Sequence, residues 1–357
     1  MGVDRIWAWM EARNVSTAFL TYPISIAYLT GFATNPHERL MALVLREAEA
    51  VLVVPGLEEE SATAAARGVS VKPWRDGEDP WAVAASVLGG GISRLAVEKG
   101  HLSLSGWDRL QAVTGAVEAV DVGAEVRRVR ARKGPDEIEK LERAGRLTDQ
   151  VTELILAELE IGRAELEVAA AIEAHVAGVG GRPSFATIVQ SGPNSAQPHL
   201  RPTGRRIAAG DLVLLDFGVD WDGYKADITR TVVLGESDPR QREVHSLVMA
   251  AQDAAVAAVR PGVSVGEVDE AARAVTREAG LAGRFIHRVG HGLGLEAHED
   301  PSLDPGGSAI LEEGMVITIE PGVYIPGWGG VRIEDDVVVE AGGRRMLTHA
   351  DRRLTPG

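Results

Sequence analysis

The sequence has 357 residues, which is more than one ordinary hydrophobic core supports, so we expect two domains. Its content of 45% hydrophobic and 25% charged residues is typical of a globular protein. The formal net charge of −15 argues against nucleic acid or an anionic membrane as a partner, because both attract a basic surface. The sequence has no cysteine, which excludes disulfides and cysteine nucleophiles and agrees with a cytoplasmic location.

Residues 1–20 predict a helix of the folded domain rather than a targeting signal. Charged residues such as Asp4, Arg5 and Glu11 interrupt the apolar ones, which is typical of an amphipathic helix and not of a signal peptide. No apolar run of the sequence is long enough to span a bilayer. We therefore expect no membrane partner.

Residues 1–127 alternate short apolar runs with helical patterns, which predicts an α/β domain. Strands are predicted at 15–21, 41–46, 51–55 and 95–98, and helices at 4–13, 57–66, 81–88 and 105–113. A basic run that ends in Gly134-Pro135 follows, and we interpret residues 128–134 as a solvated linker rather than a site for an acidic partner. Pro135 is then expected in the first turn of a helix that opens a second domain, residues 135–357.

The second domain contains an internal repeat. Each half is predicted to consist of two helices followed by strands, and each carries two carboxylates at the same points of this plan. The matching segments are Gly162-x4-Glu167-Val168 with Gly262-x4-Glu267-Val268, the strand ending at Asp216 with the strand ending at Glu320, and Lys225-Ala226-Asp227 with Arg332-Ile333-Glu334. Two half-domains related by a pseudo-twofold axis would bring these four acids together at their interface.

The four acids, Asp216, Asp227, Glu320 and Glu334, lie in or directly after apolar strands. A buried carboxylate there is costly unless it is paired or bound to a metal. A single such acid is usually structural, but four at matched positions favour a metal site. Crowded acids without metal would need strongly elevated pKa values, which is the less plausible alternative.

His291 adds an imidazole to this set, and the glycines on both sides of it permit a close approach of backbone and substrate. Four carboxylates and one histidine can hold two divalent ions. Their oxygen-rich composition favours Mn²⁺ or Co²⁺, with Zn²⁺ possible. Two further histidines, His199 and His298, occupy nearly matching places in the two halves, so we expect them to face the same cleft.

These motifs together resemble the methionine aminopeptidase and creatinase superfamily. They are Asp216-Phe217-Gly218, Asp227-Ile228-Thr229, His287-x3-His291-Gly292, Glu320-Pro321-Gly322 and Arg332-Ile333-Glu334-Asp335-Asp336. Within it, the chain is similar to the proline-specific peptidases, Xaa-Pro dipeptidase (prolidase) and aminopeptidase P. The resemblance implies a creatinase-like α/β amino-terminal domain and an α+β catalytic domain of the pita-bread fold.

The resemblance also implies a role for each site residue. Asp216 and Asp227 would hold one ion, while Asp227, His291, Glu320 and Glu334 would hold the other. A hydroxide bridging the two ions would attack the scissile carbonyl of a short proline-containing peptide, with Glu320 as its base. His199 and His298 would stabilise the oxyanion or position the peptide, and His287 and Arg332 would contact the substrate.

We expect Xaa-Pro dipeptides to be the better substrates, and the alternative is an aminopeptidase P that releases the first residue of longer peptides. The segment that contains His37, Glu38 and Arg39 resembles a prolidase loop that reaches over the active site of the neighbouring subunit, which implies a homodimer. Many prolidases carry an arginine four residues after the second histidine, but Ser302 stands there in this chain. Arg39 is therefore the first candidate to bind the carboxylate of a dipeptide.

Two functions of other classes are alternatives for the same residues. One is a non-catalytic peptide-binding protein on this fold, and the other is a metal-free hydrolase similar to creatinase. The complete ligand set argues against both.

Overall fold

The structure is a computed structural model that describes residues 2–355. The chain divides into two compact units, Met1–Arg130 and Ala131–Gly357. Within the described range, no helix combines the length and the apolar character that crossing a bilayer requires.

The amino-terminal unit contains one six-stranded sheet with the order β4-β3-β2-β1-β5-β6. Its strands are β1 (Thr17–Leu20), β2 (Ala42–Arg46), β3 (Glu49–Pro55), β4 (Ser70–Trp74), β5 (Arg94–Val97) and β6 (Glu118–Asp121). Its helices are α1 (Gly2–Ala12), α2 (Pro23–Thr30), α3 (Glu59–Ala65), α4 (Pro80–Leu88), α5 (Leu104–Thr114) and α6 (Gly123–Ala131), with a 3₁₀ turn at Gly56–Glu58.

Alternating residues of the central strands pack on opposite faces of this sheet, because side chains alternate along a strand. In β2, Leu43 and Leu45 join one buried cluster, whereas Ala42 and Val44 join the other. The sheet is therefore covered on both faces, as the alternating strand and helix patterns predict. The sequence pattern missed α2, β4, β6 and α6: the edge strands β4 and β6 are partly exposed, and α2 lacks a polar face.

The basic run at the end of this unit differs from the solvated linker that its composition suggests. Residues up to Ala131 belong to α6, since Val126 and Val129 place one face of that helix in buried surroundings. Arg130 and Lys133 are also buried. The composition of residues 128–134 predicts a solvated linker, because composition does not show which charged side chains become buried on folding.

The carboxy-terminal unit repeats one plan twice: two helices are followed by strands that form a sheet. The helices are α7 (Pro135–Glu158), α8 (Glu165–Gly178), α9 (Pro239–Ala258) and α10 (Val265–Glu278), with 3₁₀ turns at Gly192–Ala196 and Ala282–Arg284. The strands of the first half are β7 (Arg182–Pro183), β8 (Ile188–Ser191), β9 (Leu212–Phe217), β10 (Val219–Trp221), β11 (Tyr224–Lys225) and β12 (Ile228–Val233). Those of the second half are β13 (His291–Gly292), β14 (Glu299–Ser302), β15 (Val316–Ile319), β16 (Gly322–Ile325), β17 (Gly329–Arg332), β18 (Asp335–Glu340) and β19 (Gly343–Met346).

The two main sheets of this unit correspond strand by strand. One has the order β12-β9-β8, and the other, β14-β13-β15-β18-β19, contains β18-β15-β13 at equivalent places. Equivalent helices cover both sheets: Val168 of α8 packs in the first core and Val268 of α10 in the second. An isolated antiparallel bridge between Thr229 and Glu334 joins the two halves. The predicted repeat thus corresponds to two half-domains that meet where the four acids lie.

Candidate metal centre

Three of the predicted ligands form a compact buried group. One ligand atom each from Asp227, His291 and Glu334 lies within 4.8 Å of the other two. His291 Nε2 is also 3.4 Å from Glu320 Oε1 and 4.0 Å from Asp227 Oδ2. The structure therefore brings residues from both halves of the repeat to one point.

The strand pairing explains why these side chains converge. Asp216 of β9 lies opposite Thr229 of β12, and the hydroxyl of Thr229 donates a hydrogen bond of 2.6 Å to Glu334 Oε2. On the other side, Gly290 places His291 against β15, because a Cβ on Gly290 would lie 1.9 Å from the carbonyl oxygen of Thr318. Only glycine allows this approach of the two backbones.

The donor atoms fit a divalent cation. Asp227 Oδ1 and Glu334 Oε1 are buried, and neither accepts a hydrogen bond from any described residue. His291 Nδ1 lies 3.1 Å from the carbonyl oxygen of Gly292, which can only accept, so Nδ1 carries the proton and Nε2 presents its lone pair. Buried polar atoms without partners are rare in proteins, and carboxylate oxygens with an imidazole nitrogen form a common ligand set for divalent metals.

The electrostatics of the metal-free group favour the same conclusion. Burial, and then the charge of Glu334, raises the pKa of Asp227 well above its usual range. Burial, and then the charge of Glu320, does the same to the pKa of Glu334. Burial also raises the pKa of Glu320 to about 7 and lowers that of His291 to about 3. A bound cation would relieve this repulsion and let the carboxylates ionise.

Asp216 and the two predicted substrate contacts belong to a hydrogen-bonded network beside this group. Arg332 forms a buried ion pair with Asp216 and donates to the hydroxyls of Thr229 at 3.0 Å and Tyr324 at 2.9 Å. The hydroxyl of Tyr324 lies 2.9 Å from His287 Nε2. Because His287 Nδ1 donates to the carbonyl of Arg288, Nε2 accepts from Tyr324. Arg332 is thus occupied by protein partners.

The histidines His199 and His298 are exposed and lie near the acids. The ring of His298 packs edge-on against that of His291 with 4.1 Å between centroids. Burial raises the pKa of Asp216, and the positive charges of Arg332, His199 and His298 oppose that rise, so both histidines are close enough to act on it. Both can therefore reach a molecule bound beside the acids from the solvent side.

The remaining predicted site residues lie between α2 and β2 of the amino-terminal unit. His37 and Glu38 are exposed, and His37 has a positive φ of 53°. Arg39 is paired with Asp76 at 2.5 Å and lies over the ring of Trp74. Its charge is thus already neutralised within its own unit.

Several residues around the site were missed by sequence reasoning. Thr229 could have been found, because alternation along β12 puts it on the same face as Asp227. Asp336 accepts a hydrogen bond from the backbone of Asp227 at 3.0 Å, and Arg288 Nη1 donates to Ser302 Oγ at 2.8 Å. No pattern in the sequence indicates these last two contacts, because neither pair belongs to a single helix or strand.

The chain matches the models of two known families. The model of metallopeptidase family M24 matches residues 139–341, and that of the creatinase/prolidase N-terminal domain matches residues 3–132. The chain belongs to metallopeptidase family M24. The predicted fold class and the prediction of a metal-dependent peptidase are thereby confirmed.

Three individual proteins are similar to the chain over nearly its whole length. The chain is 38% identical over 361 residues to the Xaa-Pro dipeptidase of Lactobacillus helveticus, with 99% of this chain and 98% of the relative covered. Its structure is similar to that of the prolidase from Pyrococcus horikoshii, with a TM-score of 0.93, 34% identity and 99% of both chains covered. It also resembles the X-Pro aminopeptidase from Thermotoga maritima, with a TM-score of 0.88, 30% identity and coverage of 96% and 97%.

The elevated carboxyl pKa values predict how the stability of metal-stripped protein depends on pH. The pKa values of Asp227 and Glu334 are well above their usual range in the folded state, so these acids keep their protons to a higher pH there than in the unfolded chain. Raising the pH through the range in which they titrate therefore favours unfolding. We expect the free energy of unfolding of chelator-treated protein, measured with denaturant, to fall between pH 7.5 and 8.5, above the range in which a histidine with the usual pKa of about 6.5 titrates.

Two comparisons test the origin of this fall. Asp227→Asn should make it shallower, because one of the protonated acids is gone. Saturating Mn²⁺ should abolish it, because the cation takes the place of the protons. A free energy of unfolding that rises over this pH range in the stripped protein would contradict the prediction.

Proposed function

We propose that this protein is a metal-dependent dipeptidase that hydrolyses the bond before proline in Xaa-Pro dipeptides. The observation that carries the proposal is the buried ligand group of Asp227, His291 and Glu334, with Glu320 beside it. Further support comes from the near-complete coverage of a relative named Xaa-Pro dipeptidase and of a solved prolidase.

The same proposal assigns two divalent ions, most simply Mn²⁺, to the group. Asp216 and Asp227 would hold one ion, and His291, Glu320 and Glu334 would complete the other, with Asp227 and Glu334 shared. The oxygen-rich donor set supports Mn²⁺ or Co²⁺ over softer metals. When bound, such ions lower the pKa of a water and polarise the scissile carbonyl.

The protein's own side chains would carry the proton and the developing charge. Glu320, whose Oε1 lies 3.4 Å from His291 Nε2, is placed to accept a proton from water held at the ligand group. His298 is exposed on the solvent side of His291, where its ring can donate a hydrogen bond to an oxyanion. His199 would position the peptide from the other half of the repeat.

Selection of dipeptides requires a fixed cation for the carboxylate that follows proline. Arg39 was our first candidate, but it is paired with Asp76. Arg288 is the better candidate for this cation. Its positive charge opposes the rise in the pKa of Glu320 that burial causes, so Arg288 lies near the ligand group. Its guanidinium is held by Ser302, the residue at the position where many prolidases have arginine. Arg288 would thus supply the missing charge.

A second candidate function is an Xaa-Pro aminopeptidase that acts on longer peptides. The specific observation in its favour is Ser302, which leaves the usual arginine position without a charge. The likeness to the aminopeptidase of Thermotoga maritima is compatible with it.

The proposed reaction is tested by assaying Xaa-Pro dipeptides against Xaa-Pro-Yaa tripeptides after chelation and after addition of Mn²⁺. We expect chelation to abolish activity, Mn²⁺ to restore it, and dipeptides to be hydrolysed faster. Asp227→Asn should lose both metal and activity. Asp222→Asn is the control, because it removes an exposed carboxylate of the neighbouring turn. Full turnover by a sample shown metal-free by elemental analysis would refute the proposal.

The carboxylate-binding role is tested by comparing Arg288→Ala with Arg39→Ala. Truncation of one partner of a desolvated charge pair costs roughly 2–5 kcal/mol. Arg288→Ala should therefore lower kcat/KM strongly for dipeptides and much less for tripeptides, while Arg39→Ala should not distinguish them. The reverse pattern would assign the carboxylate to Arg39. If Arg288→Ala lowers kcat/KM equally for dipeptides and tripeptides, Arg288 has no role in selecting dipeptides.

We also infer a homodimer in which the loop with His37 and Glu38 acts at the partner's site. Support comes from the exposure of both side chains and from the resemblance of this loop. Mixing inactive Asp227→Asn protein with a His37→Ala/Glu38→Ala variant should restore activity through mixed dimers. Sedimentation should find a dimer, and a fully active monomer would remove this inference.

A further inference from the structure

A buried ion pair outside the ligand group links the start of the carboxy-terminal unit to the segment that carries His298. Lys133 Nζ lies 3.0 Å from Glu299 Oε2, and the side chains are only 1% and 5% exposed. Lys133 Nζ also reaches the carbonyl oxygen of Ala131 at 3.4 Å. The composition of residues 128–134 predicts that Lys133 lies in a solvated linker, and no step of the proposed reaction uses Lys133.

The lysine end of the pair is held rigidly. The backbone N–H of Lys133 donates to the carbonyl oxygen of Gly314 at 2.8 Å, next to a bridge between Arg132 and Met315. Gly314 has a φ of 87°, and a Cβ there would lie 2.8 Å from the carbonyl oxygen of Lys133. The two backbones therefore meet at a place that only glycine permits, which fixes the backbone from which the Lys133 side chain extends.

The carboxylate end organises the loop between β13 and β14. Glu299 Oε1 accepts a hydrogen bond from the backbone of Glu296 at 3.1 Å, while Oε2 binds Lys133. Glu299 lies opposite Gly292 in the strand pairing, and a Cβ on Gly294 would lie 2.8 Å from its carboxylate. The carboxylate of Glu299 thus fixes the segment from Glu296 to Glu299, and His298 is the residue directly before Glu299.

We propose that the Lys133–Glu299 pair is a positioning device for His298. Ion pairs of this kind are poor sources of stability, because the cost of desolvation offsets the attraction of the charges. Their geometry is nevertheless strict, and here it sets the loop whose histidine ring packs 4.1 Å from the ring of His291. Lys133 and Glu299 act on catalysis only through His298, a statement that rests on the function proposed above.

A double-mutant cycle between Lys133 and His298 tests this coupling. Lys133→Met keeps the apolar stem and removes the charge, and we expect kcat for an Xaa-Pro dipeptide to fall about 10- to 100-fold, the scale of a small misplacement. KM and metal content should change little. In the His298→Ala background, the same substitution should cause no further loss. Additive losses would overturn the proposal.

Further variants separate positioning from stability. Lys133→Met/Glu299→Met replaces both charges with apolar side chains, which should recover the melting temperature lost in a single variant but not kcat. If the double variant has the kcat of the unmodified enzyme, the pair has no positioning role. Glu299→Gln serves in the cycle if Lys133→Met does not fold. Lys140→Met removes an exposed lysine of α7 and should leave kcat unchanged.

A structural readout keeps this test independent of the proposed reaction. A crystal structure of Glu299→Gln or of the double variant should show the ring of His298 displaced from that of His291, even if the natural substrate is not an Xaa-Pro dipeptide. An undisplaced ring would overturn the positioning role. If the unmodified protein shows no peptidase activity but the ring of His298 is displaced in the variant, only the proposed function is refuted.

Discussion

The fold of the carboxy-terminal unit is organised around the burial of several carboxylates at one point. Asp216, Asp227, Glu320 and Glu334 come from two matched halves, and burial raises the pKa of each. These acids lie where the two halves meet, because the apolar strands that carry them pack in the cores of the two halves. The resulting repulsion is the constraint that a divalent cation would relieve, and it explains why a metallopeptidase keeps this arrangement.

Positive charges that surround the acids make their burial tolerable. Arg332 pairs with Asp216 on one side. On the other side, the buried guanidinium of Arg230 binds Asp335 at 2.7 Å and donates to the carbonyl oxygen of Glu334 at 2.6 Å. Arg230 also donates to the carbonyl oxygens of Thr229 and Ala350 and so holds the backbone behind the ligand Glu334. One oxygen each of Asp227 and Glu334 has no hydrogen-bond partner and is available to a metal.

The two candidate catalytic histidines, His199 and His298, each lie in a segment that is organised by a buried carboxylate. Glu165 accepts hydrogen bonds from Ser191, Asn194 and Thr203, which flank His199 on both sides. Glu299 closes the loop that contains His298 and is itself held by Lys133. Loops that carry functional side chains are generally mobile unless they are tied down. In this protein, ionic and hydrogen-bonded anchors of the two halves serve that purpose.

Periodic apolar patterns and matched motifs are local properties of a chain, so the sequence was sufficient to predict the class of each domain, the internal repeat and the group of acids with His291. It did not show that Lys133 is buried against Glu299, that Arg288 binds Ser302, or that Arg39 is paired with Asp76. These partners lie far apart in sequence, and a one-dimensional pattern does not specify which opposite charge a side chain meets. The weak strands β4 and β6 and the helix α6 were missed for a related reason, since packing by the rest of the unit stabilises them. Which cations neutralise the buried acids depends on the fold, because folding alone brings Arg332 beside Asp216 and Arg230 beside Asp335.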